Sequence, residues 1–451
     1  MTSRRDFVKQ SAVLAAGSLI SIEKFKTFIA KPSSVIVIGA GFAGLSAASY
    51  LKKKKIKVTV LEARTRIGGR VHSMRVPDTD CVIELGAEWV GKSHERILEM
   101  CEEYKLELFN NQFETHLLYK GQYHGKGQWK YSDEWDLKWK KLLEKYSTMT
   151  LQQKKELDKY DWWRYLVNNG CEGRDLDIRE LLDSTDFGES IRHVSAFAAL
   201  AEYAESSEKN EMDFKIRGGN VHLAHKMAEQ VGYENILLEH GVTKIEQGSG
   251  KVKVHCMNGK TFFADKIICC LPTFAMKKIQ WLPGLPAEKI NALNALQYAR
   301  INKHPVLFSE RFWPEDFDMA TDLPAHYFYH ATKNQPGDKG VLISYTIGDK
   351  AAVIANQEET FHRSIIAEAL KPAFGDVSNK MLQHWNYYWG NDTYSMGAYA
   401  LYGVGQWFTL MPVLKKPFMN TYFAGEHLAE WQGFMEGAIN TGEEAAELVA
   451  G

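Results

Sequence analysis

The chain has 451 residues, a formal net charge of −1 and 25% charged residues. A balance this close to neutral carries no basic footprint for gripping nucleic acid, and the length allows about two or three domain-sized units with ample core. Aromatic residues make up 12% of the chain, enough to wall a pocket with rings as well as fill a core.

At the N-terminus, Ser3-Arg4-Arg5-Asp6-Phe7-Val8-Lys9 reads as a twin-arginine export signal, followed by an apolar stretch over 12–22. That stretch is short and rich in Ser and Gly, unlike a membrane span. Residues 1–32 are therefore assigned to a leader, which predicts an exported, periplasmic protein. Phe28-Ile29-Ala30 is only a weak cleavage site, so an uncleaved leader would act as a membrane tether. The twin-arginine route carries folded proteins, which suits an enzyme that loads its cofactor before export.

Next comes the most informative stretch. Val35-Ile-Val-Ile-Gly39-Ala-Gly41-Phe42-Ala43-Gly44 runs from four β-branched residues into Gly-x-Gly-x-x-Gly, and a helix is expected over 45–54. Ile56-Lys-Val-Thr-Val-Leu61 then reads as a strand ending at Glu62. Strand, glycine turn, helix, strand and acid in about thirty residues is the order of a dinucleotide-binding βαβ unit. Gly39 permits the turn, Gly41 lets the backbone approach a pyrophosphate, and Gly44 lets helix and strand pack closely. Glu62 is placed to accept a ribose hydroxyl, and the helix N-terminus offers free N–H groups to phosphate.

Arg66-Ile-Gly-Gly69-Arg70 opens a turn that can bring an arginine to the same pyrophosphate, and residues 81–90 read as a strand leading into a loop. Residues 133–204, rich in Lys, Glu, Trp and Leu, predict helices whose charges are mostly solvated faces rather than a binding patch. A strand–turn–helix pattern returns near Phe214, with a helix over 222–231. Short strands are expected at 236–238, 242–245, 251–257, 261–263 and 267–271. Segments 301–309, 325–331, 341–347 and 380–388 predict a second sheet, with a helix over 357–370. From 422 to 449 the chain is again strand, Gly-Glu turn and helix. Dinucleotide-type elements at the start, middle and end predict interleaved domains, one made of 33–90, 212–282 and 391–451, the other of 91–211 and 283–390. The six cysteines lack metal spacing, and neither a disulfide framework nor a metal site is expected.

Three motifs together carry a family resemblance: Leu61-Glu-Ala63-Arg64-x-x-Ile-Gly-Gly69-Arg70, the loop Glu84-Leu-Gly86-Ala87-Glu88-Trp89, and Tyr422-Phe-Ala-Gly425-Glu426 with Trp431-x-Gly-Phe434-Met435-Glu-Gly437. The chain after residue 33 resembles the flavin-containing amine oxidase family, which includes monoamine oxidases, polyamine oxidases and L-amino-acid oxidases. The resemblance implies an α/β protein of two interleaved domains. One is a Rossmann-type (GR2-like) FAD-binding domain, the other an α+β substrate domain with a mixed sheet flanked by helices. It also implies FAD, oxidation of a primary or secondary amine to an imine, and O2 or a periplasmic acceptor for the electrons. A homodimer is compatible with it.

By motif, Gly39, Gly41, Phe42, Ala43, Gly44, Glu62, Ala63, Gly69, Gly86, Ala87, Glu88 and Trp89 are implied at the cofactor, with Arg64 and Arg70 near the diphosphate. Val242 matches the residue whose backbone meets the adenine, and Gly425 and Glu426 match contacts to the diphosphate and ribityl chain. The helix starting near Phe434 and Met435 would turn its positive end to the flavin. Lys303 matches the family lysine that holds a water against flavin N5, and an ammonium buried there needs a partner. Tyr399 and Phe434 match the two rings that flank the substrate nitrogen.

This sequence departs from the family in two ways: the ring pair is Tyr/Phe, and Ala398 stands where monoamine oxidases carry a flavin-linked cysteine. Noncovalent FAD is expected, with a histidyl link through His72 as the alternative. Glu88, in place of an arginine, argues against a carboxylate substrate and offers an anchor for a second ammonium or an acid of the flavin loop. Gly397-Ala-Tyr-Ala-Leu-Tyr-Gly-Val-Gly405 is similar to nicotine-degrading amine oxidases. Two other readings stand beside amine oxidation: C–C desaturation of the protoporphyrinogen-oxidase kind, and a non-catalytic flavoprotein that captures an ammonium ligand.

Overall fold

A computed structural model describes residues 32–451, so the twin-arginine motif and nearly all of the leader lie outside the described residues. A five-stranded parallel sheet runs in the order Thr421–Phe423, Lys266–Cys269, Ser34–Ile38, Lys57–Leu61, Ile236–Leu237. Its central strand is buried over Val35, Ile36, Val37 and Ile38, as a parallel strand covered on both faces requires. The helix Phe42–Lys53 packs between Val221–Val231 and the C-terminal helix Met435–Ala450. Gly44 is what allows that helix so close: a Cβ there would lie 1.8 Å from the Gly39 carbonyl oxygen. A four-stranded sheet, Thr261–Ala264, Val252–Cys256, Val242–Glu246 and Gln280–Leu282, stands beside it.

The large mixed sheet runs Met381–His384, Ile301–Phe308, Gly340–Ile347, Tyr327–His330, Phe317–Thr321, Glu114–Tyr119, Gln122–His124. Every residue of Ile301–Phe308 and Gly340–Ile347 is buried. One face packs on Ile178 and Leu181 of the helix Gly173–Phe187, the other on Ile365, Ile366 and Leu370 of Glu359–Phe374. The strand expected over 380–388 is divided into Met381–His384 and Tyr387–Tyr388. The break falls opposite Pro305, which has no N–H to give to a ladder. Several strands are not marked in the sequence, among them Glu114–Tyr119 and Phe317–Thr321, which pair in parallel, and Gln122–His124 beside them. Asp318 is buried in Phe317–Thr321, so the polar letter hides a covered strand.

Helices Asp133–Tyr146, Leu151–Leu157, Trp162–Asn168, Gly173–Phe187 and Ala196–Glu205 fill the predicted helical region. Side chains of Ser132, Thr150, Asp161 and Ser195 accept from first-turn N–H groups, which fixes four of these starts. The five parallel strands come from within 33–90, 212–282 and 391–451, and the mixed sheet from within 91–211 and 283–390. Two short pairings cross between these sets, Leu108–Asn110 with Phe214–Ile216 and Gln297–Tyr298 with Ala400–Leu401. No helix among the described residues is long and apolar enough to cross a membrane.

Candidate active site

One continuous cavity of about 850 Å3 runs from the glycine turn of the parallel sheet to the underside of the mixed sheet. At one end it is lined by Gly39, Gly41, Phe42, Ala43, Glu62, Ala63, Arg64, Gly69, Arg70 and Val242. Gly86, Ala87, Glu88, Trp89, Gly425, Glu426, Phe434 and Met435 follow along its length. Gly44 sits behind the turn rather than on the cavity wall, because its lack of a side chain serves helix–strand contact.

The walls at this end are bare backbone and uncapped helix starts. A Cβ on Gly69 would come 3.2 Å from the Gly41 Cα, so only two glycines leave this channel open. Neither Phe42–Lys53 nor Met435–Ala450 has a side-chain cap, and both begin on the cavity. Their first N–H groups are therefore left for a ligand. Glu62 is fixed by the Ala40 and Arg64 amides at 2.7 and 2.8 Å. Both arginines of this stretch already hold a carboxylate. Arg64 grips Asp392 through two bonds of 2.7 and 2.6 Å, and Arg70 meets Glu426 at 2.6 Å. Burial would raise Asp392, but the Arg64 guanidinium wins and holds it at about 2. Glu426 also accepts from the Gly433 amide at 2.9 Å, tying the loop before the last helix to Arg70.

Lys303 enters from the centre of the mixed sheet, on the strand Ile301–Phe308. It is 3% exposed, which excludes a lysine reaching solvent. Its ammonium donates to Glu84 O at 3.0 Å, Gly86 O at 2.9 Å and Glu88 Oε2 at 3.0 Å. Those bonds use all of its N–H donors, so holding a water as well requires one of them to be exchanged. Burial pushes the Lys303 pKa down, and Glu88 opposes the shift.

The expectation that Glu88 could anchor a second ammonium of the substrate is corrected by its surroundings. Its carboxylate is buried and saturated by Lys303, by Lys215 at 2.9 Å and by the Tyr329 hydroxyl at 2.6 Å. Burial alone would raise Glu88, but the two ammonium groups and the hydroxyl hold it below the usual range. Lys215, unnoticed in the sequence, completes this buried charge cluster.

Tyr399 and Phe434 both face the cavity. The Tyr399 hydroxyl donates to the Asp186 carbonyl, and the ring is backed by Gly433, whose added Cβ would lie 2.9 Å from it. Most charges of the helical region are solvated as expected, but beyond these rings the cavity opens into a chamber lined by some of its residues. Buried Arg179 and Asp183 and half-buried Asp186, spaced along Gly173–Phe187, form an inward face that is the exception to this pattern. Arg179 stacks on Trp139 at 3.6 Å and pairs with Asp183 at 3.3 Å, so its charge is already met. Asp318 accepts from Tyr327 at 2.6 Å and Thr115 at 3.1 Å, while its second oxygen is buried without a partner. Asn210 Oδ1, also on the chamber, is likewise unpartnered. Burial raises both Asp186 and Asp318 to about 7, with Asp183 adding to the shift at Asp186.

A family model described as flavin containing amine oxidoreductase matches residues 42–450. The chain belongs to this family. An L-amino-acid oxidase of Echis ocellatus is 28% identical over 93% of this chain and 89% of its own length. Amine oxidase (flavin-containing) B of Homo sapiens is 25% identical over 92% of this chain and 85% of its own. In fold, the chain is similar to putrescine oxidase bound to putrescine, with a TM-score of 0.83 at 20% identity, covering 93% of this chain and 99% of that one. Cyclohexylamine oxidase from Brevibacterium oxydans IH-35A gives 0.82 at 20% identity over 93% and 99%. The protein is thus an FAD-dependent oxidoreductase of the amine oxidase family, acting on C–N bonds of small amines. The bare glycine channel and the two uncapped helix starts suit the diphosphate of such a cofactor.

Proposed function

We propose that the enzyme oxidises an amine that carries a second cationic centre. The observation behind this reading is the chamber beyond Tyr399. Its acids outnumber its one paired guanidinium, and Asp318 Oδ1 and Asn210 Oδ1 are buried acceptors that lack a donor. An ammonium with several N–H groups answers both needs, whereas a carboxylate would meet uncompensated acids.

Bound FAD supplies the two-electron acceptor for hydride removal from the carbon beside nitrogen. Tyr399 and Phe434 hold the reacting nitrogen between their faces and favour its neutral form, which keeps the lone pair that assists hydride departure. The Glu84–Trp89 loop is held by Lys303 through two carbonyls and Glu88, so the lysine fixes a loop that would line the flavin's place. Glu62 is assigned to the ribose, the Gly39–Gly41 and Gly69 backbone to the diphosphate, Val242 to the adenine, and Gly425 and Glu426 to the ribityl side. Ala398 at the family's linkage position supports noncovalent binding, as does the absence of His72 from the residues that line the cavity. The imine product hydrolyses to a carbonyl, and the electrons pass to O2 as peroxide or to a periplasmic acceptor if the twin-arginine leader directs export.

Anaerobic mixing with amines of matched length tests the reading. Diamines should bleach the yellow flavin at lower concentration than monoamines, with peroxide and dye reduction followed in parallel. If L-amino acids or monoamines prove the better substrates, the second cationic centre is wrong; if no amine bleaches the flavin, amine turnover itself is.

A further inference from the structure

On the far side of the mixed sheet, away from the cavity, three histidines converge: His304, His362 and His384. One ring nitrogen from each lies within 4.8 Å of those of the other two. This is the only such cluster of potential ligands among the described residues. They come from three elements, the central strand Ile301–Phe308, the helix Glu359–Phe374 and the edge strand Met381–His384. Pairing of Val306 with His384 sets His304 and His384 on neighbouring strands, and the helix lays His362 over both. Ring centroids lie 4.7 to 5.8 Å apart.

The hydrogen-bond pattern points inward. His304 Nδ1, His362 Nδ1 and His384 Nε2 are all buried without a partner. His362 uses its other nitrogen to donate to Ile354 O at 2.6 Å, which leaves the Nδ1 lone pair free. The Asn302 amide lies 2.6 Å from His304 Nε2. Turning that amide over, so that Oδ1 accepts from Nε2–H, would leave Nδ1 free in the same way and satisfy the buried Asn302 Oδ1. A backbone carbonyl and an amide behind the rings are the outer partners that metal-binding histidines use to fix tautomer and orientation. Two buried rings and a half-buried one, each with a buried ring nitrogen left unpartnered, make a poor apolar core.

We propose that His304, His362 and His384 form a three-histidine site for a divalent borderline cation, Zn2+ or a close relative. Imidazole suits such ions, and three nitrogens at about 2.0–2.1 Å from the metal leave one position for water. Nitrogens around a tetrahedral ion sit about 3.3 Å apart, so spacings of up to 4.8 Å would close by as much as about 1.5 Å on binding, and half-buried His384 gives access from solvent. His304 follows Lys303 on the same strand, so the two side chains leave on opposite faces. The ion would thus clamp the strand that carries Lys303 to the outer helix, without touching the cavity.

The test uses the FAD-loaded enzyme purified without a histidine tag and stripped with chelator. Wild type should take up one equivalent of Zn2+ by equilibrium dialysis, give Co2+ ligand-field bands in difference spectra, and gain thermal stability that chelator reverses. His384→Gln, at the rim, should weaken uptake by about tenfold or more while keeping FAD and fold; His362→Gln should do the same if it folds. No stoichiometric uptake by wild type at about 100 μM Zn2+ overturns the site. So does uptake that His384→Gln leaves unchanged, since the ion then sits elsewhere.

Discussion

Glu88 decides more at the residue level than any other carboxylate, because two lysines depend on it in a space none of them leaves. Glu88→Gln strands the Lys215 and Lys303 ammonium groups together, and breaking a buried pair this way costs about 3–5 kcal/mol. The urea midpoint of the variant should fall accordingly, and an unchanged midpoint would mean the cluster is better hydrated than it looks. Lys303→Met removes one charge but leaves Glu88 paired with Lys215 and Tyr329, so FAD should stay bound. Stopped-flow spectra should then show flavin reduction or reoxidation slowed by about tenfold or more.

Asp318 offers a pH test. Its native pKa of about 7 lies above the unfolded value of about 3.9. Between these values the folded state keeps a proton that the unfolded chain has lost, so this group's contribution to stability falls as pH rises through the window. Asp318→Asn should therefore raise the melting temperature more at about pH 8 than at about pH 4. For a substrate with a cationic tail, the same substitution should raise KM mostly above about pH 7, where the wild-type acid is ionised.

Among the elements, the glycine turn was legible because most of its reasons are local. Gly39 takes φ +100° and Gly44 lies against the strand, both constraints written within ten residues, whereas Gly41 borders a channel whose other wall is Gly69. Gly44→Ala forces a Cβ into the Gly39 carbonyl, and we expect a loss above about 3 kcal/mol with FAD no longer retained on gel filtration. Helix Gly173–Phe187 was legible as a helix but not as a chamber wall. Its Arg179, Asp183 and Asp186 look in sequence like any charged face, and only the strands packed against it turn that face inward. The strand Phe317–Thr321 was hidden for a related reason, since its buried acid breaks the apolar run that marks a covered strand.

For the molecule as a whole, the interleaving could be read because dinucleotide-type signals recur along the chain, whereas the contents of the space between the sheets could not. Lys303, Glu88 and Lys215 are separated by 215 and 127 positions and meet only once both sheets have formed. The three histidines are still less visible, since no spacing motif joins strand, helix and edge strand. The cavity is bounded by both sets of elements, so FAD should hold them together. In calorimetry the holoenzyme should melt in one transition at higher temperature than the apoprotein, the gap widening with added FAD. Two separate transitions with only one shifted by FAD would mean the cofactor reports to a single domain.

The arginines of the cofactor channel carry one further implication. Arg64 and Arg70 each face a carboxylate from the last sixty residues, Asp392 and Glu426, so the cleft is close to electrically balanced before any diphosphate arrives. Long-range Coulomb attraction then contributes little, and grip must come from short dipolar contacts with backbone amides. Such contacts span about 2.7–3.2 Å with no room for an ion between the partners, so salt weakens them little even at 1 M, where the screening length is about 3 Å. Washing the yellow protein with concentrated sodium chloride should leave its colour in place.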